Sequence, residues 1–459
     1  MAASTTLFQI LATTTGSLIS VSDGMQYGWT SPILPLLMSS STPVQIEESD
    51  VALLENIYLF GALLGFPITI FLLNRIGRKK TLITSAFASL SLWILIGFAT
   101  NVTALRIARF IAGLSANINF SALPVYVAEI SEKQVRGRLG TVVHVMALLG
   151  TILMYSVGPY VSMTTSSVIG ATIVLLFLVT FSFMPESPYY LLIKNQKDEA
   201  QKSLERFRNS EDVEAELVEI SEILGEEYAE RPRLLNLLKI KSNQKVLAIM
   251  IILTIGESFS GITVLFMNVH LIFEDIPLSL STNTLAILFS VVMCIGCIFA
   301  TFLVDKAGRV SLLFSSSLFT GISLLIISSY LLYKENVEIS GYTWIPVATM
   351  MVYSFTYKYG VGLIPLVLAS ELFSTNLKAV GVSATCFTFV ISSIISISIY
   401  HYFKRFGVYV PFYLFGGFCI FIGFFALFCI PETKGKSLEE IQELLNGNSR
   451  RKSNYEEIK

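Results

Sequence analysis

Apolar residues along this chain do not alternate with polar ones. They run together in blocks of about twenty, the length at which a helix crosses a hydrocarbon core. Such blocks fall at 8–28, 51–73, 81–99, 104–127, 139–160 and 165–184, and again at 245–270, 283–303, 311–332, 342–368, 380–402 and 408–430. A polar stretch, 185–243, separates the two sets, and a charged tail begins at Pro431. Backbone groups in lipid must bond within their own segment, so blocks this apolar are helices. No period-two stretch suggests the strands of a barrel. The pattern predicts an all-α membrane protein of about twelve transmembrane helices. It divides into a six-helix half over 1–184, linker helices over 185–243, a second six-helix half over 244–430, and a tail over 431–459.

Composition sharpens this picture. Charged residues are 14% of the 459, against about a quarter in a soluble domain. Most of the surface must therefore face something apolar. A net charge of −1 leaves no basic face for nucleic acid. Cys294, Cys297, Cys386, Cys419 and Cys429 all lie inside apolar blocks. Cys294 and Cys297 lie inside an apolar block and no His accompanies them, so all five read as apolar packing residues. No nucleophile–base constellation, phosphate loop or metal spacing stands in a polar segment, which argues against an enzyme, a metal or a cofactor. The N-terminus lacks a charged n-region and a cleavage site, so the first block is expected to be a retained span.

Lys and Arg in the short loops set the orientation. Arg75, Arg78, Lys79 and Lys80 follow the second block, Lys133, Arg136 and Arg138 the fourth, and Lys306 and Arg309 the eighth. The opposite loops carry Glu47, Glu48 and Asp50, then Glu274 and Asp275. Both termini and the linker are thus expected in the cytoplasm, with Lys404 and Arg405 as an exception to the rule. Asn101-Val102-Thr103 is then a glycosylation sequon on the outer side. Within the linker, Leu204, Phe207, Val213, Leu217, Ile220 and Leu224 recur near helical spacing among charges. Such a stripe needs a surface to pack on, which favours a bundle bracing a gate over a solvated tether.

Three charged motifs occur twice, in the same order. Asn74-Arg75-Ile76-Gly77-Arg78 after the second block answers to Asp305-Lys306-Ala307-Gly308-Arg309 after the eighth. Pro124 through Glu129, with Arg136 beyond, answers to Pro365 through Glu371, with Lys378 beyond. Pro185-Glu186-Ser187-Pro188 answers to Pro431-Glu432-Thr433-Lys434. A doubled half-transporter accounts for this economically.

These motifs, with Arg109-Phe110-Ile111-Ala112-Gly113, Arg136-Gly137-Arg138-Leu139-Gly140 and Ser437-Leu438-Glu439-Glu440-Ile441, resemble the sugar porter family of the major facilitator superfamily over nearly the whole chain. Gly28-Trp29-Thr30-Ser31-Pro32 is similar to the outer end of the first span in arthropod facilitated trehalose transporters. The resemblance implies a monomeric, plasma-membrane carrier of trehalose or a hexose, working by alternating access as a facilitative uniporter. It also implies a cytoplasmic gate. Arg75, Arg78, Glu129, Arg136 and Glu186 would form it in the first half, and Arg309, Glu371, Lys378 and Glu432 in the second.

Polar groups inside spans default to function. Asp23, Arg109, His144 and Glu257 stand out. By the resemblance, His144 replaces a Gln, and Glu257 through Thr263 replaces a Q-Q-x-S-G-I-N element. The usual Asn and Trp fall at Met293 and Leu366. The ligand is then expected at His144, Glu257, Ser258, Thr263 and Asn268. Asp23 and Arg109 fall where proton-coupled symporters carry an acid–base pair, so proton symport is an alternative, with protons as co-substrate. A non-transporting sugar receptor, or a carrier of another polyol or organic solute, also stays open.

Overall fold

The computed structural model describes residues 2–39, 44–132, 135–210, 212–229, 241–274, 280–336, 344–373 and 378–434, with 342, 436 and 440 singly. Every regular element among them is helical. α1 (Ala2–Gly28), α3 (Glu48–Ile76), α4 (Arg78–Gly97), α5 (Val102–Ile130), α6 (Arg136–Val157) and α7 (Met163–Phe181) form on the first six apolar blocks, and a short α2 (Thr30–Met38) turns off the end of α1. The linker holds α8 (Pro188–Ile193), α9 (Lys197–Arg208) and α10 (Glu214–Ala229). After it come α11 (Lys241–Ser258), α12 (Ile262–Glu274), α13 (Thr282–Ala307) and α14 (Arg309–Asn336), then α15 (Trp344–Thr356), α16 (Ile364–Leu372), α17 (Lys378–Phe403) and α18 (Tyr409–Cys429).

Two blocks expected to be continuous are broken. The seventh parts into α11 and α12 at a turn closed by Gly261, whose φ of +79° suits glycine. The tenth leaves α-helical geometry after Thr356, runs as a π-helix over Tyr357–Val361, and resumes as α16 at Ile364, with Pro365 in its first turn. Gly360 and Gly362 loosen the helix, and Pro365 has no N–H to continue the ladder. Ten helical stretches among the described residues are long and apolar enough to cross a bilayer. α1, richer in Ser and Thr, and the interrupted α15–α16 stretch account for the other two expected spans.

Packing gathers the chain into two compact units, one of residues 1–229 with 264–294, the other of 230–263 with 295–459. In the first, α1 packs on α6, α3 on α5, and α4 on α5 and α7. In the second, α11 packs on α17 and α14 on α15 and α18. First-with-fifth and third-with-sixth pairing thus occurs inside each unit, the internal symmetry that the doubled motifs imply.

Glycine permits the closest of these crossings, since packing rather than water expulsion holds helices together in lipid. A methyl group on Gly24 would overlap the Ala147 carbonyl, and one on Gly150 the Val21 carbonyl, so α1 and α6 meet backbone to backbone. Gly61 and Gly113 do the same for α3 and α5. Large apolar side chains face outward, Phe428 at 82% and Phe302 at 70% exposure. A bilayer is the surrounding that makes such a surface stable.

The linker helices have a small core of their own, in which Leu191, Leu192, Ala200, Leu204, Val213 and Ile220 are buried. Arg208 pairs with Glu216 at 2.7 Å and donates to the Ile130 carbonyl at 2.9 Å, tying α9 to the end of α5. Gln9, fully buried, bonds to both Glu132 and the Phe207 carbonyl. The amphipathic stripe therefore packs, and it packs onto the motif-bearing end of α5.

Gly150→Val should destabilise the purified protein by about 1–3 kcal/mol, the usual cost of forcing volume into a packed crossing. Thermal unfolding in detergent will show it. Gly140→Ala, where an added methyl meets no atom within 4 Å, should shift the midpoint little.

Candidate functional site

At the motif end of the first unit, Gly77 turns the chain between α3 and α4 at φ +92°. This exposes the first backbone N–H groups of α4, which have no partner within the helix. The Glu186 carboxylate accepts from the Arg78 and Lys79 amides, each at 3.0 Å. A carboxylate there also meets the positive end of the helix dipole. The Arg78 side chain reaches the other way, to Glu129 at the end of α5, with Nε–Oε2 at 2.9 Å and Nη2–Oε1 at 2.7 Å. Two parallel contacts of this kind make a strong, directional pair. Ser187 Oγ donates to the same carboxylate.

The second unit builds the same object. Gly308 turns at φ +87°. Glu432 accepts from the Arg309 amide at 2.9 Å and the Val310 amide at 3.0 Å. Arg309 Nη2 lies 2.8 Å from Glu371 Oε1, and Thr433 takes the place of Ser187 by donating to Glu371. Burial pushes the Glu432 carboxyl up, but the backbone N–H groups of Arg309, Lys434, Val310 and Thr433 outweigh it and hold it below the usual carboxylate range.

Two of the nine expected gate residues stand otherwise, and a third lies outside the described side chains. Arg75 is exposed and lies over the Phe71 ring, 5.5 Å from its centroid, outside the network. Arg136 is exposed and donates to the Ser131 carbonyl at 3.4 Å. The Lys378 side chain falls outside the described residues, as do Lys133 and Asp275.

The interior of the first unit is polar around α1, α3 and α5. Asp23 accepts from Asn119 Nδ2 at 3.1 Å. Arg109, fully buried, donates to the Gln26 carbonyl at 2.6 Å and stacks on Tyr58, with Cζ 4.4 Å from the ring centroid. Among the described residues no direct ion pair joins Asp23 to Arg109. The Nε and Nη2 atoms of Arg109 have no hydrogen-bond partner. His144, half-buried, meets the Phe120 ring edge-on at 6.0 Å. Asn268 on α12 is buried and already bonded, to Glu55 at 2.7 Å and to the Val264 carbonyl. On the same helix, His270 Nδ1 lies 2.7 Å from Ser31 Oγ. Glu55 and His270 escape a reading of the sequence because each stands alone in an apolar block.

In the second unit the broken helices meet. Ser258 Oγ lies 2.9 Å from Ser393 Oγ, and Thr263 donates to Ser393 at 3.3 Å. Tyr353 on α15 donates to the Ser260 carbonyl at 3.0 Å, so α15 is fastened to the α11–α12 turn. Glu257, half-buried, hydrogen-bonds to Tyr357 and is influenced by the charge of Lys358 on the π-helical segment. Lys358 is hidden in the sequence because its block has the hydropathy of an unbroken helix. Its signal is a charge beside closely spaced glycines. Met293 is fully buried, whereas Leu366 is 40% exposed. Asn101 is exposed and caps α5 through the Ala104 amide.

A family model described as "Sugar (and other) transporter" matches residues 9–445. A facilitated trehalose transporter Tret1 of Culex quinquefasciatus is 30% identical over 99% of this chain and 89% of its own. One of Apis mellifera ligustica is 29% identical over 98% and 91%. Among solved structures, the proton:xylose symporter XylE bound to 6-bromo-6-deoxy-D-glucose superposes with a TM-score of 0.74 at 20% identity, covering 97% of this chain and 99% of that one. An inward-open XylE from E. coli gives 0.76 at 19%, covering 96% and 99%. The chain belongs to the sugar transporter family and has the major facilitator fold. It is a multi-pass membrane transporter.

The depressed Glu432 carboxyl fixes a sign. Its stabilising contribution is present in full above the ordinary Glu value of about 4.3 and is lost as pH falls through the lower folded value. Glu432→Gln should therefore melt below wild type at neutral pH, with the gap closing as the pH drops through about 4 and below. Thermal unfolding as a function of pH checks it.

Proposed function

We propose that this protein carries trehalose or a hexose across the plasma membrane by alternating access, as a facilitative uniporter and a monomer, with both termini and the linker in the cytoplasm. The observation that carries the reading is the pair of twinned constellations, Arg78–Glu129–Glu186 and Arg309–Glu371–Glu432. Each fastens one helix start to two other helix ends, at one end of its own unit. Such a constellation holds a unit rigid, so that the units move as bodies. We further propose that these constellations act as the cytoplasmic gate, closed while intact and opened as they break. The names of the relatives support the substrate. Hydroxyls of a sugar would meet Glu257, Ser258 and Thr263 in the second unit, and His144 and Asn268 in the first. Asn101, exposed, would bear a glycan on the outer side.

A second reading, proton symport, has its own observation. Arg109 is buried without a carboxylate contact, and Asp23 lies close enough for both charges to act on Tyr58. Protonation of Asp23 would change what Arg109 pairs with, a means of coupling a proton to movement.

Purified protein in proteoliposomes should take up labelled trehalose or D-glucose until inside and outside are equal, indifferent to a pH gradient. Ligand-induced stabilisation without uptake would indicate a receptor. A flat response to every sugar would overturn the sugar reading in favour of another solute. Glu129→Gln should raise cysteine-labelling accessibility on the cytoplasmic side severalfold, and unchanged labelling would remove the latch.

Uptake that rises with an inward proton gradient in wild type, and loses that dependence in Asp23→Asn, would replace uniport by symport.

A further inference from the structure

Inside a membrane span an amide binds hydroxyls at less cost than a charge does, since charges are expensive there and persist where they are used. The second unit nevertheless holds two. Glu257 sits in the last turn of α11, one residue before Ser258 and the turn that Gly261 closes. Lys358 sits on the π-helical segment of the tenth stretch, a distortion that recurs at functional sites. Lys358 leaves its helix beside Gly296 of α13, and Gly360 lets the segment press against Ser316 of α14. Tyr353 ties α15 to the α11–α12 turn, so the positions of the two charges are fixed relative to one another.

The two side chains act on each other electrostatically, yet among the described residues no direct ion pair joins them. Both keep partial exposure. Two opposite charges that influence each other without forming an ion pair can serve as two walls of one site. A carboxylate accepts hydroxyl hydrogens and an ammonium donates to hydroxyl oxygens, and a vicinal diol offers both. A ligand with a charge of its own would neutralise one wall and leave the other uncompensated in a medium that penalises that strongly.

We propose that Glu257 and Lys358 form a dipolar clamp for neutral polyhydroxylated ligands, in which Lys358 is a specificity-determining residue that excludes charged sugars. The clamp rests on the reading of the second unit as part of a sugar site, and it makes a claim which that reading does not. Removing one charge should not merely weaken binding. It should invert the charge the site prefers.

The test is thermal stabilisation of the purified full chain by D-glucose, D-glucuronate and protonated D-glucosamine. Proteoliposome uptake of labelled D-glucose runs alongside it. Wild type should respond to D-glucose alone. Glu257→Gln leaves Lys358 unmatched and should come to prefer D-glucuronate by about tenfold, the worth of one charge-assisted hydrogen bond. Lys358→Met should prefer D-glucosamine by a similar factor. Glu257→Lys combined with Lys358→Glu restores neutrality and should return the preference to D-glucose. Should a single variant misfold, the swapped variant must still fold and keep the wild-type preference, and failure of the swap as well overturns the pairing. Single variants that fold and keep the wild-type order of ligands overturn the clamp while leaving sugar transport standing. Inverted preferences with no labelled sugar taken up by wild type leave the clamp standing and overturn transport.

Discussion

At the motif end of each unit, a buried or half-buried charge is met by a second charge or by a set of backbone N–H groups. The Arg78–Glu129 contact, with Glu186 on the start of α4, shows how far that constraint reaches. A short turn between two long helices needs a left-handed residue, hence Gly77. The turn bares backbone donors, and a carboxylate from a third element satisfies them. The arginine freed by this capping is held by a carboxylate from a fourth. Three helix ends and the linker are joined by one residue and its neighbours. Removing one partner of such a pair costs about 3–5 kcal/mol, because the other is left charged and unmatched. The second unit depends on Arg309 in the same way.

Away from those ends the helices are held by shape. Gly24, Gly150, Gly61 and Gly113 bring backbones together, and the packing energy of those crossings replaces the water-expulsion term that lipid withholds. The interior differs again. Its helices are broken at Gly261 and over Tyr357–Val361, and irregular backbone at membrane depth survives only where protein or a polar cavity covers it. The two breaks are joined by Tyr353, and Glu257 and Lys358 lie beside them. Rigid ends, close-packed shafts and interrupted centres thus divide the work of one chain.

Much of this is legible in the residues. Block length gives the helices, since hydrocarbon thickness leaves little freedom. Repetition of the charged motifs points to the constellations that hold Arg78, Glu129, Glu186, Arg309, Glu371 and Glu432. Arg75 and Arg136 share the composition of the motif, but Arg75 lies over Phe71 and Arg136 reaches the Ser131 carbonyl, choices that loop charge alone does not reveal. The breaks in the seventh and tenth blocks are hidden, as hydropathy is blind to a change of backbone geometry within an apolar run. Glu55, His270 and Lys358 go unseen for a related reason: each needs a partner far away in sequence to acquire meaning. Asp23 and Arg109 bond to Asn119 and to the Gln26 carbonyl, a choice of partners that spacing cannot encode.

The turn at Gly77 also bears on how the protein is made. Arg78 and the carboxylate that caps its helix are separated by 108 positions, and Arg309 and its cap by 123. While the ribosome is still building the third to sixth spans, the start of α4 has no anion to meet, and the first unit is inserted before it can lock. Residues 264–294 pack with that unit as well, so its last pieces are translated after the linker and α11. Order of synthesis and order of packing therefore part company, and a chain arrested between Glu186 and Val264 would hold its charged end closed while still lacking a wall.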